Sequence, residues 1–170
     1  MKKVITYGTY DLLHHGHVAL LKRAKALGDY LVVVLSTDEF NWNEKQKKCY
    51  FPYEERKRML EAIRYVDKVV PQEDRDKFAA WERHGFHRMF VGDDWKGTPL
   101  FEEMEQRFAP HGVEIVYFPY TQGTSSTQIR KIAQGTSSVV PPKSRNRQRT
   151  TSCTTDTMIS TRAYRNHLST

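Results

Sequence analysis

Four residues near the start of the chain have the types and spacing for phosphate chemistry: His14-His15-Gly16-His17, just after the turn Gly8-Thr9-Tyr10-Asp11. A short apolar run, Val4-Ile5-Thr6-Tyr7, precedes that turn, and Val18, Leu20, Leu21, Ala24 and Leu27 follow at helical spacing. The pattern predicts a strand over 3–7, a turn at Gly8 and a helix over 14–27, closed by Gly28 as a C′ glycine. His14 and His17 then sit on the first helical turn, three apart and on one face. A helix start has unpaired N–H groups and a partial positive charge, which together bind anions. Imidazoles placed there can donate further hydrogen bonds to phosphate oxygens. Gly8 and Gly16 allow the backbone to approach such a ligand.

A metal is the other chemistry that three clustered histidines suggest. No Cys, Asp or Glu lies at a spacing that completes a tetrahedral site with His14, His15 and His17. No protein-held metal site is therefore expected.

The elements that must position these residues follow in order. Tyr30-Leu31-Val32-Val33-Val34-Leu35 is a continuous apolar run, the mark of a strand buried on both faces of a parallel sheet. Residues 36–40 (STDEF) follow it, then a polar, basic loop over 41–48 with Lys45, Lys47 and Lys48. Pro52 opens a helix over 53–65. Residues 66–70 read as a strand closed by Pro71, 76–84 as a helix ended by Gly85, and 88–91 as a strand running into Gly92-Asp93-Asp94-Trp95. A helix over 99–109, a strand over 113–118, a hydroxyl-rich loop and a last helix over 127–134, stopped by Gly135, complete the series. Alternating strands and helices argue for an α/β fold, a Rossmann-like open parallel five-stranded sheet with helices on both faces. Ligands of such sheets sit at the carboxyl ends of the strands, where strand order reverses. GTYD-HHGH, STDEF, GDDW and TQGTSST all fall at strand ends, and that coincidence supports a site there.

The 170 residues allow one domain, over 1–135, and a tail. No apolar run reaches transmembrane length, and the run after Met1-Lys2-Lys3 is too short for a signal peptide. No membrane insertion is expected. Cys49 and Cys153 are the two cysteines, far apart and outside any CxxC spacing, which fits a reducing cytoplasm. The net charge is +7, but residues 136–170 hold six basic residues against Asp156, so the body is nearly neutral. The tail is rich in Ser and Thr, contains Pro141-Pro142 and lacks apolar periodicity, so disorder is expected. A basic tail can bind nucleic acid through counterion release. Here the charges are diluted and only Tyr164 is aromatic, so nucleic acid is not the expected partner.

GTYD followed by HHGH resembles the GT(F/Y)D…HxGH signature of the nucleotidylyltransferase superfamily. STDEF, Ile63-Arg64-Tyr65-Val66-Asp67 and GDDW resemble the glycerol-3-phosphate cytidylyltransferase family within it. The resemblance covers about the first 134 residues. It implies CTP and sn-glycerol 3-phosphate as substrates, CDP-glycerol and pyrophosphate as products, and service to teichoic-acid-type cell-wall polymer synthesis. Mg²⁺ as the bridging cation and a cytoplasmic homodimer are implied as well.

The resemblance also implies roles. His14 and His17 hold the triphosphate and stabilise charge at the α-phosphate, while Lys45 and Lys47 reach the triphosphate and the acceptor phosphate. Thr9, Tyr10 and Gly16 meet the nucleotide phosphates. Arg56, in Tyr53-Glu54-Glu55-Arg56-Lys57, is a phosphate-binding candidate. Arg64 is an acceptor-site candidate or else a structural partner of Asp67. Asp94 orients the nucleotide or helps hold the metal. The family's last loop reads RTEGIST with a further Thr; Thr121, Gly123, Ser125 and Thr127 match it, Tyr120 replaces its Arg and Gln122 its Glu. Ser126 and Thr127 hydroxyls suit the β- and γ-phosphates, but Tyr120 cannot supply the missing charge. Other phospho-alcohols (ethanolamine, choline, another polyol) and adenylyl transfer are the neighbouring enzyme readings. A non-catalytic nucleotide-binding protein is the alternative outside enzymes, and it would have no reason to keep both imidazoles.

Overall fold

The computed structural model describes residues 1–119 and 125–135. Its elements are β1 (Lys3–Gly8), α1 (His15–Ala26), β2 (Tyr30–Ser36), α2 (Asp38–Lys45), α3 (Tyr53–Glu61), β3 (Lys68–Gln72), α4 (Lys77–His84), β4 (Arg88–Gly92), α5 (Pro99–Phe108), β5 (Glu114–Phe118) and α6 (Ser126–Ala133). The five strands form one parallel sheet in the order β3-β2-β1-β4-β5. Ile5 of β1 lies level with Val32 of β2 on one side and Met89 of β4 on the other.

A parallel sheet needs cover on both faces, and the buried residues divide accordingly. Leu21 and Ala24 of α1 and Leu60 of α3 pack with Val4, Val33, Leu35, Val69, Phe90 and Phe118. Phe101 and Phe108 of α5 pack with Ile5, Val32, Val34, Val70 and Met89 on the other face, joined by Phe78 and Trp81 of α4. The predicted α/β sheet with helices on both faces is thus the observed one. Among the described residues no helix is long and apolar enough to cross a membrane.

The chain steps outward from β1 through β2 to β3, then returns to place β4 on the other side of β1. Strand order reverses there, so a crevice opens between the carboxyl ends of β1 and β4. Gly8 and Gly92 are the last residues of these two strands.

Several boundaries differ from the sequence pattern. The expected basic loop over 41–48 begins inside a helix, α2, because Thr37 Oγ1 accepts from Phe40 N at 3.1 Å and caps it. Asp38 and Glu39 complement the dipole of its first turn. The third helix stops at Glu61 rather than 65. β3 runs on through Pro71 to Gln72 instead of ending before it. It is an edge strand, where a residue without N–H is tolerated. Gly28 is not a left-handed cap, unlike Gly85 and Gly135, which have φ of 59° and 69°. A Cβ at Gly28 would come within 2.6 Å of Val4 Cγ1 and 2.9 Å of Lys2 O, so glycine is needed there for room. The Ser/Thr-rich tail expected over 136–170 lies outside the described residues.

Candidate active site

His14 is the N-cap of α1 rather than a member of its first turn. Its Nδ1 accepts from Gly16 N at 3.1 Å, and His17 Nδ1 accepts from His14 N at 3.4 Å. The two imidazoles so form a reciprocal capping box, and their rings stack with centroids 3.9 Å apart. Both Nδ1 atoms act as acceptors, which puts the proton of each neutral ring on Nε2. Burial in the cleft wall, then the neighbouring His14, push the His17 pKa down to about 4. Burial and His15 lower that of His14 too. At neutral pH the site therefore offers two uncharged N–H donors.

The turn before the helix is strained. Tyr10 and Leu12 have φ of 48° and 52°, an uncommon region for bulky residues. Tyr10 is buried, with its ring folded back over the end of β1 and edge-on to His17. Gly8 is required by that fold-back, since a Cβ there would lie 2.6 Å from Tyr10 Cε2. Asp11, between the two strained residues, is 3 % exposed. Its carboxylate accepts from Tyr50 N (3.0 Å), Phe51 N (3.2 Å) and Arg130 Nη2 (2.7 Å). Asp11 was legible only as part of the motif; its role as anchor of two distant segments carried no sequence signal.

A cleft of about 360 Å³ opens beside these residues. Thr9, Tyr10, His14, Gly16, His17 and Lys47 line one wall, Asp94 and Trp95 another, and Ser125, Ser126 and Thr127 a third. The short 3₁₀ turn over Asp93–Trp95 carries Asp94 back over Gly92, where a Cβ would collide with Asp94 Oδ1. Ser125 caps α6, accepting from Gln128 N at 3.2 Å, and Ser126 Oγ donates to Asp11 O at 2.9 Å. The helix starts of α1 and α6 thus both open on one crevice, an anion-favouring arrangement.

Lys45 ends α2 and donates through Nζ to Thr9 Oγ1 at 3.3 Å. Burial of its ammonium and the charge of Lys47 lower its pKa. Lys77, at the start of α4, was not singled out from sequence. Its Nζ lies 3.6 Å above the Tyr7 ring, and burial, with opposing help from Asp74 and further depression by Lys45, brings its pKa down to about 8. Burial and the like charge of Lys45 both disfavour the charged form of this ammonium.

Two candidates stand elsewhere. Arg56 is wholly buried, not exposed to the cleft. Its guanidinium donates to Thr9 O (2.7 Å), Ser36 O (2.9 Å) and Phe51 O (3.0 Å) and pairs with Asp38 at 2.6 Å. It ties the ends of β1 and β2 to α3 and positions the phosphate loop from behind. Arg64 is exposed and donates to Tyr65 Oη at 2.7 Å. The neighbouring Asp67 N bonds to Leu31 O at the start of β2, so Arg64 sits by the amino ends of the strands, opposite the cleft. Asp67 pairs with Lys25 at 2.6 Å, not with Arg64. Thr121 and Gly123 lie outside the described residues, as does Tyr120.

The cytidylyltransferase-like family matches residues 5–132. The chain is 49 % identical over 142 residues to a glycerol-3-phosphate cytidylyltransferase of Bacillus subtilis, covering 79 % of this chain and 99 % of that one. It is 48 % identical over 136 residues to the protein of the same name from Staphylococcus aureus, covering 79 % and 97 %. Among solved structures, a lipopolysaccharide core biosynthesis protein from Thermoplasma volcanium superposes with a TM-score of 0.61 at 25 % identity, over 73 % of this chain and 99 % of the other.

Proposed function

This chain belongs to the cytidylyltransferase-like family, with the glycerol-3-phosphate cytidylyltransferases as relatives, and we propose from that premise how its cleft joins CTP to sn-glycerol 3-phosphate. It is a nucleotidyltransferase that forms CDP-glycerol and releases pyrophosphate. A phosphate oxygen of the acceptor attacks the α-phosphorus of CTP, the new P–O bond forms, and the bond to the β-phosphate oxygen breaks. The nucleophile is already an anion and the leaving group already a good one. No general base is needed, and the protein must align the two phosphates and neutralise charge.

The observation that carries this reading is the stacked His14–His17 pair at the β1/β4 crevice, both Nε2–H groups free of the capping bonds. We assign them to oxygens of the α- and β-phosphates, where charge grows in the transition state. Lys47 adds charge from the same wall, and the start of α6, with Ser126 and Thr127, receives the distal phosphates. We assign Trp95 to the nucleoside end of the cleft and Asp94 to its phosphate end. We assign the acceptor phosphate to Lys45, which donates to Thr9, with Lys77 as a second cation whose charge is coupled to that of Lys45. A polyol monophosphate matches a site built of cations with few apolar walls.

Magnesium fits this donor set as a guest of the triphosphate. Among the described residues no three His, Cys, Asp or Glu side chains converge, so phosphate oxygens would supply most ligands and Asp94 one carboxylate. When bound, the ion would neutralise the triphosphate. The wider assignments, a cytoplasmic homodimer serving teichoic-acid-type polymer synthesis, rest on kinship. Incubating the protein with Mg²⁺, glycerol 3-phosphate and each NTP in turn tests the reading. Pyrophosphate released with CTP alone is the expected result; release with ATP alone, or with none, would overturn it.

A further inference from the structure

α6 carries the hydroxyls that face the distal phosphates, yet none of its residues is buried, and Ile132 on it is 46 % exposed. Apolar packing alone holds such a helix weakly. Two of its side chains reach the segment around Asp11 and Lys48. Ser126 Oγ donates to Asp11 O. Arg130 Nη2 pairs with Asp11 Oδ2 at 2.7 Å, and Arg130 Nη1 donates to Lys48 O at 3.3 Å. The guanidinium also lies 5.1 Å above the Tyr50 ring.

We infer that Arg130 is a positioning residue for nucleotide binding, a clamp that fastens two walls of the cleft to the buried carboxylate of Asp11. One wall is the start of α6. The other is the loop after α2, which holds Lys47 and is fixed at its far end by Tyr50 N and Phe51 N on the same carboxylate. This rests on the functional reading above only in naming CTP as the nucleotide.

Three physical points support the assignment. Asp11 is nearly inaccessible to water, and a buried carboxylate needs a cation or pays heavily in desolvation. Arg130 is the cation the structure gives it. Second, the strained backbone at Tyr10 and Leu12 persists only where neighbours hold it, and the clamp closes on the residue between them. Third, the planar fork of Arg presents separate Nη1 and Nη2 donors to Lys48 O and Asp11, a fixed spread that the single nitrogen of Lys lacks. Loss of Arg130 would let α6 and Lys47 drift more than the histidines, which their own capping box and ring stack hold to α1.

The test compares wild type, R130A and R130K in steady-state kinetics with both substrates, and in amide hydrogen exchange over α6. R130A should raise KM for CTP roughly tenfold or more, since small displacements of binding groups cost that much. KM for glycerol 3-phosphate should move by less than about twofold, exchange in α6 should quicken, and R130K should fall between. A CTP KM within about twofold of wild type in R130A, or unchanged exchange in α6, would overturn the clamp. If R130A does not fold, R130K decides: kinetics and exchange equal to wild type would sink the inference. Absence of wild-type turnover would instead sink the functional reading, and the exchange comparison would still judge the clamp.

Discussion

His14 and His17 hold each other in place: the main-chain N–H of His14 donates to Nδ1 of His17 while the rings stack at 3.9 Å. The same side chains that cap α1 face the cleft. Structural and catalytic roles are therefore joined in one group, and a simple deletion confounds them. Glutamine at the third helical position also completes a capping box. His17→Gln should recover the helix cap, worth about 1 kcal/mol, that His17→Ala loses. Neither should recover turnover, which we expect to fall roughly 10²–10³-fold for loss of one transition-state donor. Thermal melts beside kcat values separate the two; a His17→Gln enzyme with near-normal kcat would remove His17 from the chemistry.

Titration of His17 follows from its surroundings. Its folded-state pKa is about 4, against an ordinary 6.5. The unfolded chain thus binds the extra proton between those values, and the folded chain does not. Stability from keeping His17 neutral is complete above pH 6.5 and is lost as pH falls toward 4. The ring signals of His17 in an NMR titration should stay flat from pH 8 to 5. An inflection near 6.5 would mean the imidazole is solvated and not held as described.

Arg56 gives a contrasting result. Its guanidinium satisfies three carbonyls and Asp38 behind the phosphate loop. Arg56→Met should destabilise the fold by roughly 3 kcal/mol or more, because those acceptors lose their donors. Below the lowered melting temperature, KM for CTP should change only a few-fold. A stable Arg56→Met protein with a greatly raised CTP KM would return Arg56 to the phosphate site.

How much of this could be read from residue order depends on where the information resides. β2 was legible because its short, β-branched LVVVL run fits a strand buried on both faces, and the HHGH segment because chemistry and helix start coincide in four residues. α2 was not, since its composition is polar and its start depends on the single Thr37 cap. Gly28 looked like a helix stop, but the reason for glycine is Val4, which is distant in sequence. Arg56 and Lys77 are the clearest pair. As letters they are two cations among mixed charges, Arg56 after Glu54-Glu55 and Lys77 after Asp74-Arg75-Asp76. Folding buries the guanidinium among carbonyls and sets the ammonium over the Tyr7 ring, where burial and the charge of Lys45 act on it, and only tertiary packing makes that distinction.

Lys77 accordingly carries the sharpest prediction about the acceptor. Burial of the Lys77 ammonium, with the like charges of Lys45 and Arg75, disfavours its charged form and pushes its pKa down to about 8, while the Tyr7 ring face partly offsets that. Such a cost is retained where function requires it. Lys77→Met keeps the length and apolar contact while removing the charge. The variant should melt no lower than wild type at pH 7, yet show KM for glycerol 3-phosphate raised roughly tenfold or more, the cost of one charge-assisted phosphate contact. The pH dependence adds a second readout. As pH climbs through about 8, the free wild-type enzyme loses the Lys77 proton, so its acceptor KM should rise there. The Lys77→Met enzyme, lacking that group, should show a flat acceptor KM over the same range. Parallel profiles for the two proteins would place the acceptor phosphate elsewhere, with Lys45 as the remaining cation beside Thr9.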